Sequence, residues 1–343
     1  MEKIKIGDRP IGEGEPCFII AEAGSNHNGS LEQAKKLIDV AAEANADAVK
    51  FQIFTAESLY SKYTPEFDYL KGKNVYELIK SIETPREWIK ELARYCKDKG
   101  TIFLASVFDI EAVDILDKYV PAFKIASFEI VDLELIKYAA EKGKPMIIST
   151  GMASLGEIED AIKAIRFTGN NNIVLLHCNS LYPTPPEVAN LKTIETLREA
   201  FKLPVGFSDH TLGIHIPIAT VGMSACVIEK HFTLDRSLPG PDHSFAIEPD
   251  ELKEMVMCIK EVEKAKGDGV KEKSKLERGE MYVKARRTIH AKVYIPQGTK
   301  IKRDMLIVKR PGYGIKPKFI DVIVGRPARK DIKADEWITW EMV

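Results

Sequence analysis

With 343 residues the chain exceeds the usual size of a single hydrophobic core, so one large domain and a smaller one are expected. Its 45% apolar and 29% charged content, its lack of an apolar run of bilayer length and an opening MEKIKIGDRP without a signal-peptide core point to a soluble cytoplasmic protein. The net charge of −1 conceals an asymmetry: residues 286–343 hold fourteen Lys and Arg against six Asp and Glu, leaving 36 against 45 in the preceding 285.

In chain order, apolar runs bounded by turn residues predict strands CFIIAEAG from Cys17, AVKFQIF from Ala48, IFLASVF from Ile102 and AFKIASFEI from Ala122. They continue with PMIISTGM from Pro145, IVLLHCNS from Ile173, PVGFSDHT from Pro204 and CVIEKHFT from Cys226. Helical patterns separate them, as in SLEQAKKLIDVAAEANA, where Ser30 is the expected N-cap and Ala34, Leu37, Ile38, Ala41 and Ala42 recur at helical spacing. Eight strand and helix units in about 250 residues predict an α/β fold, a (β/α)8 TIM barrel. The long gap from Thr55 to Thr101 is expected to carry an active-site loop. A charged, glycine-containing stretch, KAKGDGVKEKSKLERGE, reads as a linker, and IHAKVYI and MLIVKRPG read as short strands around an IPQGTK turn. The expected domains are therefore a barrel over 1–268, a linker over 269–285 and a small β-rich module over 286–343.

Five cysteines (Cys17, Cys96, Cys178, Cys226, Cys258), odd in number and without C-x-x-C, predict buried thiols in a reducing compartment and no disulfide framework or zinc site. The basic tail lacks stacking aromatics and a nucleic-acid fold signature, so contact with the acidic body or an anionic small molecule is the expectation.

The polar residues cluster at the carboxyl ends of the runs: Glu22, Lys50, Gln52, Ser106, Lys124, Ser127, Glu129, Ser149, Ser180, Ser208, His210 and His231. In a barrel those ends converge on one mouth. His210 and His231, 21 residues apart at the ends of two neighbouring runs, emerge side by side there, with Ser208, Asp209 and Glu229 beside them; that is a metal-site geometry. Two lysines inside apolar strands need anionic partners, and with the serine hydroxyls they suit a compact, multiply charged anion such as a phosphate or phospho-carboxylate. Two neutral imidazoles with open positions suit a divalent ion polarising a carbonyl, and Glu22 is available as acid or base.

The segments FIIAEAGSNHNG, AVKFQ, FKIASFE, IISTGM, LLHCNSLYPTP, GFSDHT, IEKHFTLD and LPGPDHSFAIEP resemble, in order, the sialic acid synthase family, whose members condense phosphoenolpyruvate with N-acetylmannosamine or a related 2-acetamido sugar. The tail with IPQGTKIKRDMLIVKRPG resembles the antifreeze-like (SAF, β-clip) domain that follows the barrel in that family. The resemblance implies Mn²⁺, or Co²⁺ or Mg²⁺, on His210 and His231. It implies a phosphoenolpyruvate cradle of Lys50, Lys124, Ser106, Ser127, Ser149, Ser180 and Ser208, and Glu22 managing protons. It places Gln52, Glu129, Tyr182 and Asp242 on the amino sugar, with Arg310 reaching over the mouth of a partner in a homodimer. The product would be a nine-carbon nonulosonic acid plus phosphate, with no nucleic acid or membrane partner. Ser106 stands where threonine is frequent and Ser180 where asparagine is often found, which leaves the acceptor open. A legionaminic or pseudaminic acid synthase using a 2,4-diacetamido-trideoxyhexose and an N-acetylneuraminate-9-phosphate synthase are the alternatives. A Schiff-base aldolase, a 3-deoxy sugar acid synthase, and a carbohydrate- or ice-binding protein are the competing classes.

Overall fold

A computed structural model of the chain describes residues 4–65, 74–272 and 274–343. They form two compact units, Met1–Gly267 and Asp268–Val343.

The first unit opens with an antiparallel hairpin, β1 (Ile4–Ile6) and β2 (Arg9–Ile11). Eight parallel strands follow and close on themselves: β3 (Phe18–Gly24), β4 (Ala48–Ile53), β5 (Ile102–Val107), β6 (Phe123–Ile125), β7 (Met146–Ser149), β8 (Ile173–Cys178), β9 (Val205–Asp209) and β10 (Val227–His231), with β10 beside β3. The predicted (β/α)8 barrel is thus present. Period-two alternation sorts its strand residues into two cores. Ile19, Ala21, Val49, Phe51, Phe103, Ile125, Ile148, Leu175, Phe207 and Ile228 face the helices. Phe18, Ile20, Ala48, Leu104, Ile147, Val174, Leu176 and Val227 fill the barrel, joined by Ile4, Ile6 and Ile11 of the hairpin, which stoppers the end where the strands begin. Each fully buried Val, Leu, Ile or Phe contributes roughly 1.5–3 kcal/mol.

The helix Leu31–Glu43 forms where its apolar spacing predicts: Ser30 Oγ accepts from Gln33 N–H, and Ala34, Leu37, Ile38 and Ala41 are buried. One sequence expectation needs correction, and one element is additional to those expected. The hairpin went unpredicted because three-residue strands carry almost no periodicity. AFKIASFEI is a strand only over Phe123–Ile125; Ser127–Val131 is a 3₁₀ helix that leaves Phe128 and Val131 exposed, so their β-prone side chains do not pack as strand residues. In the long gap after β4, helices span Ala56–Leu59, Val75–Ser81 and Ile89–Asp98; the expected active-site loop falls partly on residues 66–73, which lie outside the described residues.

The second unit pairs β11 (Thr288–Ala291) antiparallel with β12 (Leu306–Lys309) around a core that includes Ile289, Ile295, Ile301, Ile315, Ile323, Ile332 and Ile338. Among the described residues no helix is long and apolar enough to cross a membrane.

Candidate active site

The inward face of each barrel strand is apolar where the strand begins and polar where it ends. Two residues past Ile20 stands Glu22; past Ala48, Lys50 and then Gln52; past Leu104, Ser106; past Ala122, Lys124; past Ile147, Ser149; past Leu176, Cys178; past Gly206, Ser208; past Val227, Glu229 and His231. Alternation therefore aims all of them into one mouth. The ladder sets them side by side, pairing His231 with Glu22, Glu22 with Lys50, Gln52 with Ser106, Ser106 with Lys124 and Cys178 with Ser208.

Their side chains form one buried network. Lys50 Nζ lies 2.8 Å from Glu22 Oε2, donates to Ser106 Oγ at 2.9 Å and stands 3.8 Å from Glu229 Oε2. Lys124 Nζ donates to Ser149 Oγ at 2.7 Å and lies 3.6 Å from Glu229 Oε1, which accepts from Ser208 Oγ at 2.9 Å. Gln52 Nε2 donates to Glu22 Oε1 at 2.9 Å. Glu229, named from sequence only as a neighbour of the two histidines, was given no role there, although the need of the two lysines for an anion signalled one. Burial works against the charges here. It raises the pKa of Glu22, opposed by Lys50. At Lys50 the burial effect is outweighed by Glu22 and Glu229, and at Glu229 by Lys124 and Lys50, so both stay charged. Lys124, whose strongest countercharge is Glu229 alone, has its pKa lowered by burial.

Ser127 Oγ accepts from Gly151 N–H at 3.0 Å, and the buried Ser180 Oγ has no hydrogen-bond partner. A Cβ on Gly151 would come within 2.4 Å of Ser180 Oγ and 2.8 Å of Ser127 Oγ, so only glycine lets this N–H and these two hydroxyls share one pocket.

The imidazoles of His210 and His231 lie 5.4 Å apart between ring centroids. His210 Nδ1 donates to Asn179 O at 2.7 Å; burial works to lower its pKa, but Cys178 and the Asn179 carbonyl outweigh it and hold the pKa above the usual histidine value. His231 is buried and its Nδ1 has no hydrogen-bond partner; burial, followed by the neighbouring His210, pushes its pKa well below the usual histidine value, so the ring is neutral. Asp242 Oδ2 lies 3.7 Å from His231 Nδ1, and burial raises its pKa to about 6. Gly24, at φ +53°, makes room for both, since a Cβ there would stand 3.1 Å from Asp242 Oδ2 and 3.5 Å from His231 Cε1. The Tyr182 ring rests on His210 at 4.2 Å, and Phe245 lies 5.2 Å from His231. Cys178, expected only as a buried thiol, lies in this site, its Sγ 3.8 Å from His210 Nδ1.

Two adjacent imidazoles, one with an orphaned buried nitrogen, form a donor pair that fits a divalent ion such as Mn²⁺, with His210 giving up its Nε2 proton on binding and oxygen ligands filling the other positions. Among the described residues no group of three or more His, Cys, Asp and Glu is arranged to hold a metal ion, so an ion on these two rings would take water or substrate oxygens at its other positions.

Of the remaining residues named from sequence, Glu129 stands on the 3₁₀ helix after β6, its Oε2 buried without a partner, and burial lifts its pKa to about 7. A carboxyl raised from 4.5 to about 7 contributes stability that is complete below the unfolded value and is lost as pH rises through 7. Glu129→Gln is therefore expected to raise stability at pH 8 by on the order of 2 kcal/mol and to leave it unchanged near pH 4.5. Thermal melts of both proteins across that range check this, and a pH-independent difference would contradict it. Arg310 lies in the second unit, exposed, its Nε donating to Ala285 O at 2.6 Å.

The sequence matches the NeuB family over residues 37–271 and the SAF domain over residues 286–343. An uncharacterized protein of Methanocaldococcus jannaschii is 46% identical, with 99% of this chain and 98% of the relative covered. The N,N'-diacetyllegionaminic acid synthase of Legionella pneumophila is 42% identical, covering 98% and 97%. The crystal structure of the N-acetylneuraminic acid (sialic acid) synthetase of Leptospira borgpetersenii, 37% identical, superposes with a TM-score of 0.73 over 82% of this chain and 95% of that one.

Proposed function

The chain belongs to the NeuB family, and from that premise we propose that it condenses phosphoenolpyruvate with N-acetylmannosamine or a related 2-acetamido hexose, giving a nine-carbon nonulosonic acid and phosphate. The observation that carries this reading is the joining of two buried lysines through Glu229 next to a pair of imidazoles 5.4 Å apart between ring centroids.

Lys50, Lys124 and the hydroxyls of Ser106, Ser127, Ser149, Ser180 and Ser208 would hold the phosphate and carboxylate of phosphoenolpyruvate. His210 and His231 would hold a divalent ion, Mn²⁺ with Co²⁺ or Mg²⁺ as substitutes, which supplies a Lewis acid for a carbonyl oxygen. Carbon 3 of phosphoenolpyruvate attacks the aldehyde carbon of the open-chain sugar, water adds at carbon 2, and phosphate leaves with the oxygen of the broken C–O bond. Glu22, with its pKa raised by burial and its carboxylate oriented by Gln52, takes the proton of the attacking water. Gln52, Glu129, Tyr182 and Asp242 would face the amino sugar. Arg310 of the partner subunit would reach the mouth in a homodimer, as the opposed charges of tail and barrel favour.

The acceptor is decided by a panel of N-acetylmannosamine, its 6-phosphate and a 2,4-diacetamido-trideoxyhexose, each with phosphoenolpyruvate and Mn²⁺, followed by phosphate release. One of them is expected to release phosphate in step with a nonulosonic acid. Release with none of them, or trapping of a substrate on a lysine by borohydride, would overturn the reading. The diacetamido sugar has specific support in the name of the 42% identical Legionella relative.

A further inference from the structure

One buried ion pair lies outside the network described above. Lys230 and Asp209 are each 1% exposed and sit on the helix-facing side of β10 and β9, one residue before His231 and His210. Lys230 Nζ lies 2.6 Å from Asp209 Oδ2 and also donates to the carbonyl oxygen of Thr211. Asp209 Oδ1 accepts from Thr211 N–H at 2.9 Å and Oδ2 from Thr211 Oγ1 at 3.1 Å. Nothing in the site chemistry uses these groups.

Their placement gives them a task. The β9 and β10 ladder stops at the pairing of Lys230 with Asp209, and β9 itself ends at Asp209. His231 is still a strand residue, paired with Glu22, whereas His210 stands one residue beyond its strand, where no ladder bond to β10 fixes it. The segment Asp209–Thr211 is instead folded back on itself by the Asp209 carboxylate and tied across to β10 by the Lys230 ammonium. His210 is the middle residue of that folded segment.

We propose that Lys230, Asp209 and Thr211 form a positioning clamp that sets the distance between the two histidines from behind, through the backbone, without touching a ligand. A buried pair is a costly way to gain stability, since apolar residues of similar volume often do as well. It is a good way to fix one geometry, because the ammonium accepts only the arrangement that satisfies both Asp209 and the Thr211 carbonyl. The inference rests on the reading that His210 and His231 hold a divalent ion, and its test separates the two.

The measurement is the dissociation constant of Mn²⁺ alone for the full-length protein, by calorimetry or from the electron paramagnetic resonance signal of free Mn²⁺. The double variant Asp209→Leu with Lys230→Met removes both charges together and leaves none unpaired. It is expected to bind Mn²⁺ at least about tenfold more weakly, the scale on which groups that orient metal ligands act. Its affinity for phosphoenolpyruvate, measured without metal, should change less than about twofold, a split that general loosening of the fold would not produce. Thr211→Val, nearly isosteric, removes only the hydroxyl contact and should give a smaller loss of Mn²⁺ affinity in the same direction; it carries the test if the double variant does not fold. Wild-type Mn²⁺ affinity in the folded double variant, or in Thr211→Val where that variant alone folds, would overturn the clamp. Mn²⁺ binding by His210→Ala as tight as that of the wild type would overturn the histidine reading itself.

Discussion

Replacing His210 or His231 with alanine is expected to lower turnover by about three orders of magnitude or more and to weaken Mn²⁺ binding in parallel. Each ring is one of the two imidazoles proposed to hold the ion, and among the described residues no group of three or more His, Cys, Asp and Glu is arranged to replace it. The loss should be of function more than of fold, because both residues lie at strand ends above the apolar barrel core and their neighbours Tyr182 and Phe245 pack on each other at 5.5 Å between ring centroids. Steady-state kinetics at saturating metal, with calorimetric Mn²⁺ titration of the same preparations, reads both effects. A His210→Ala protein that kept most of its metal-dependent turnover would remove that residue from the ligand set.

Lys50→Met is expected to produce the largest loss of stability of any single change in the mouth. Lys50 is the common cation of Glu22 and Glu229, at 2.8 and 3.8 Å, and all three are nearly fully buried. Without it Glu22 loses its cation and faces Glu229, which keeps only Lys124, in a low-dielectric core; breaking a buried pair in this way costs about 3–5 kcal/mol, or roughly 10 °C in Tm for a unit of this size. The deficit should depend on pH in a definite direction. Burial already raises the folded pKa of Glu22, and removing Lys50 raises it further, so the variant recovers stability below the unfolded value and loses it as pH climbs through the folded one. Adding Glu22→Gln to Lys50→Met should restore part of the loss at pH 8. Thermal melts at pH 5 and pH 8 decide it, and a single variant melting within a degree of the wild type at pH 8 would show that the pair carries no such weight.

The barrel was legible because strand patterning repeats eight times, and repetition makes each short run more convincing than it is alone. Lys50 and Lys124 were legible for the opposite reason: an ammonium in an apolar run breaks the pattern and demands a partner. The identity of that partner was harder to read. Glu22 and Glu229 both end apolar runs, and only the closed order of strands, with β10 beside β3, brings both to Lys50. Cys178 escaped because a cysteine in an apolar run reads as core; its inward alternation, two residues after Leu176, was the available signal. Ser127–Val131 misled because Phe128, Ile130 and Val131 have strand propensity, whereas at the rim of a barrel solvent covers two of them. The clamp behind the histidines was invisible to sequence, since Asp209 and Lys230 look like ordinary polar strand ends until the ladder is seen to stop between them.

The central claim, that this mouth joins carbon 3 of phosphoenolpyruvate to a sugar aldehyde while water displaces phosphate from carbon 2, is tested most directly with phosphoenolpyruvate carrying ¹⁸O in the bridging oxygen. With Mn²⁺ and the accepted 2-acetamido sugar, the released phosphate should carry the label. Unlabelled phosphate, or phosphate released at the same rate without any sugar, would contradict the account.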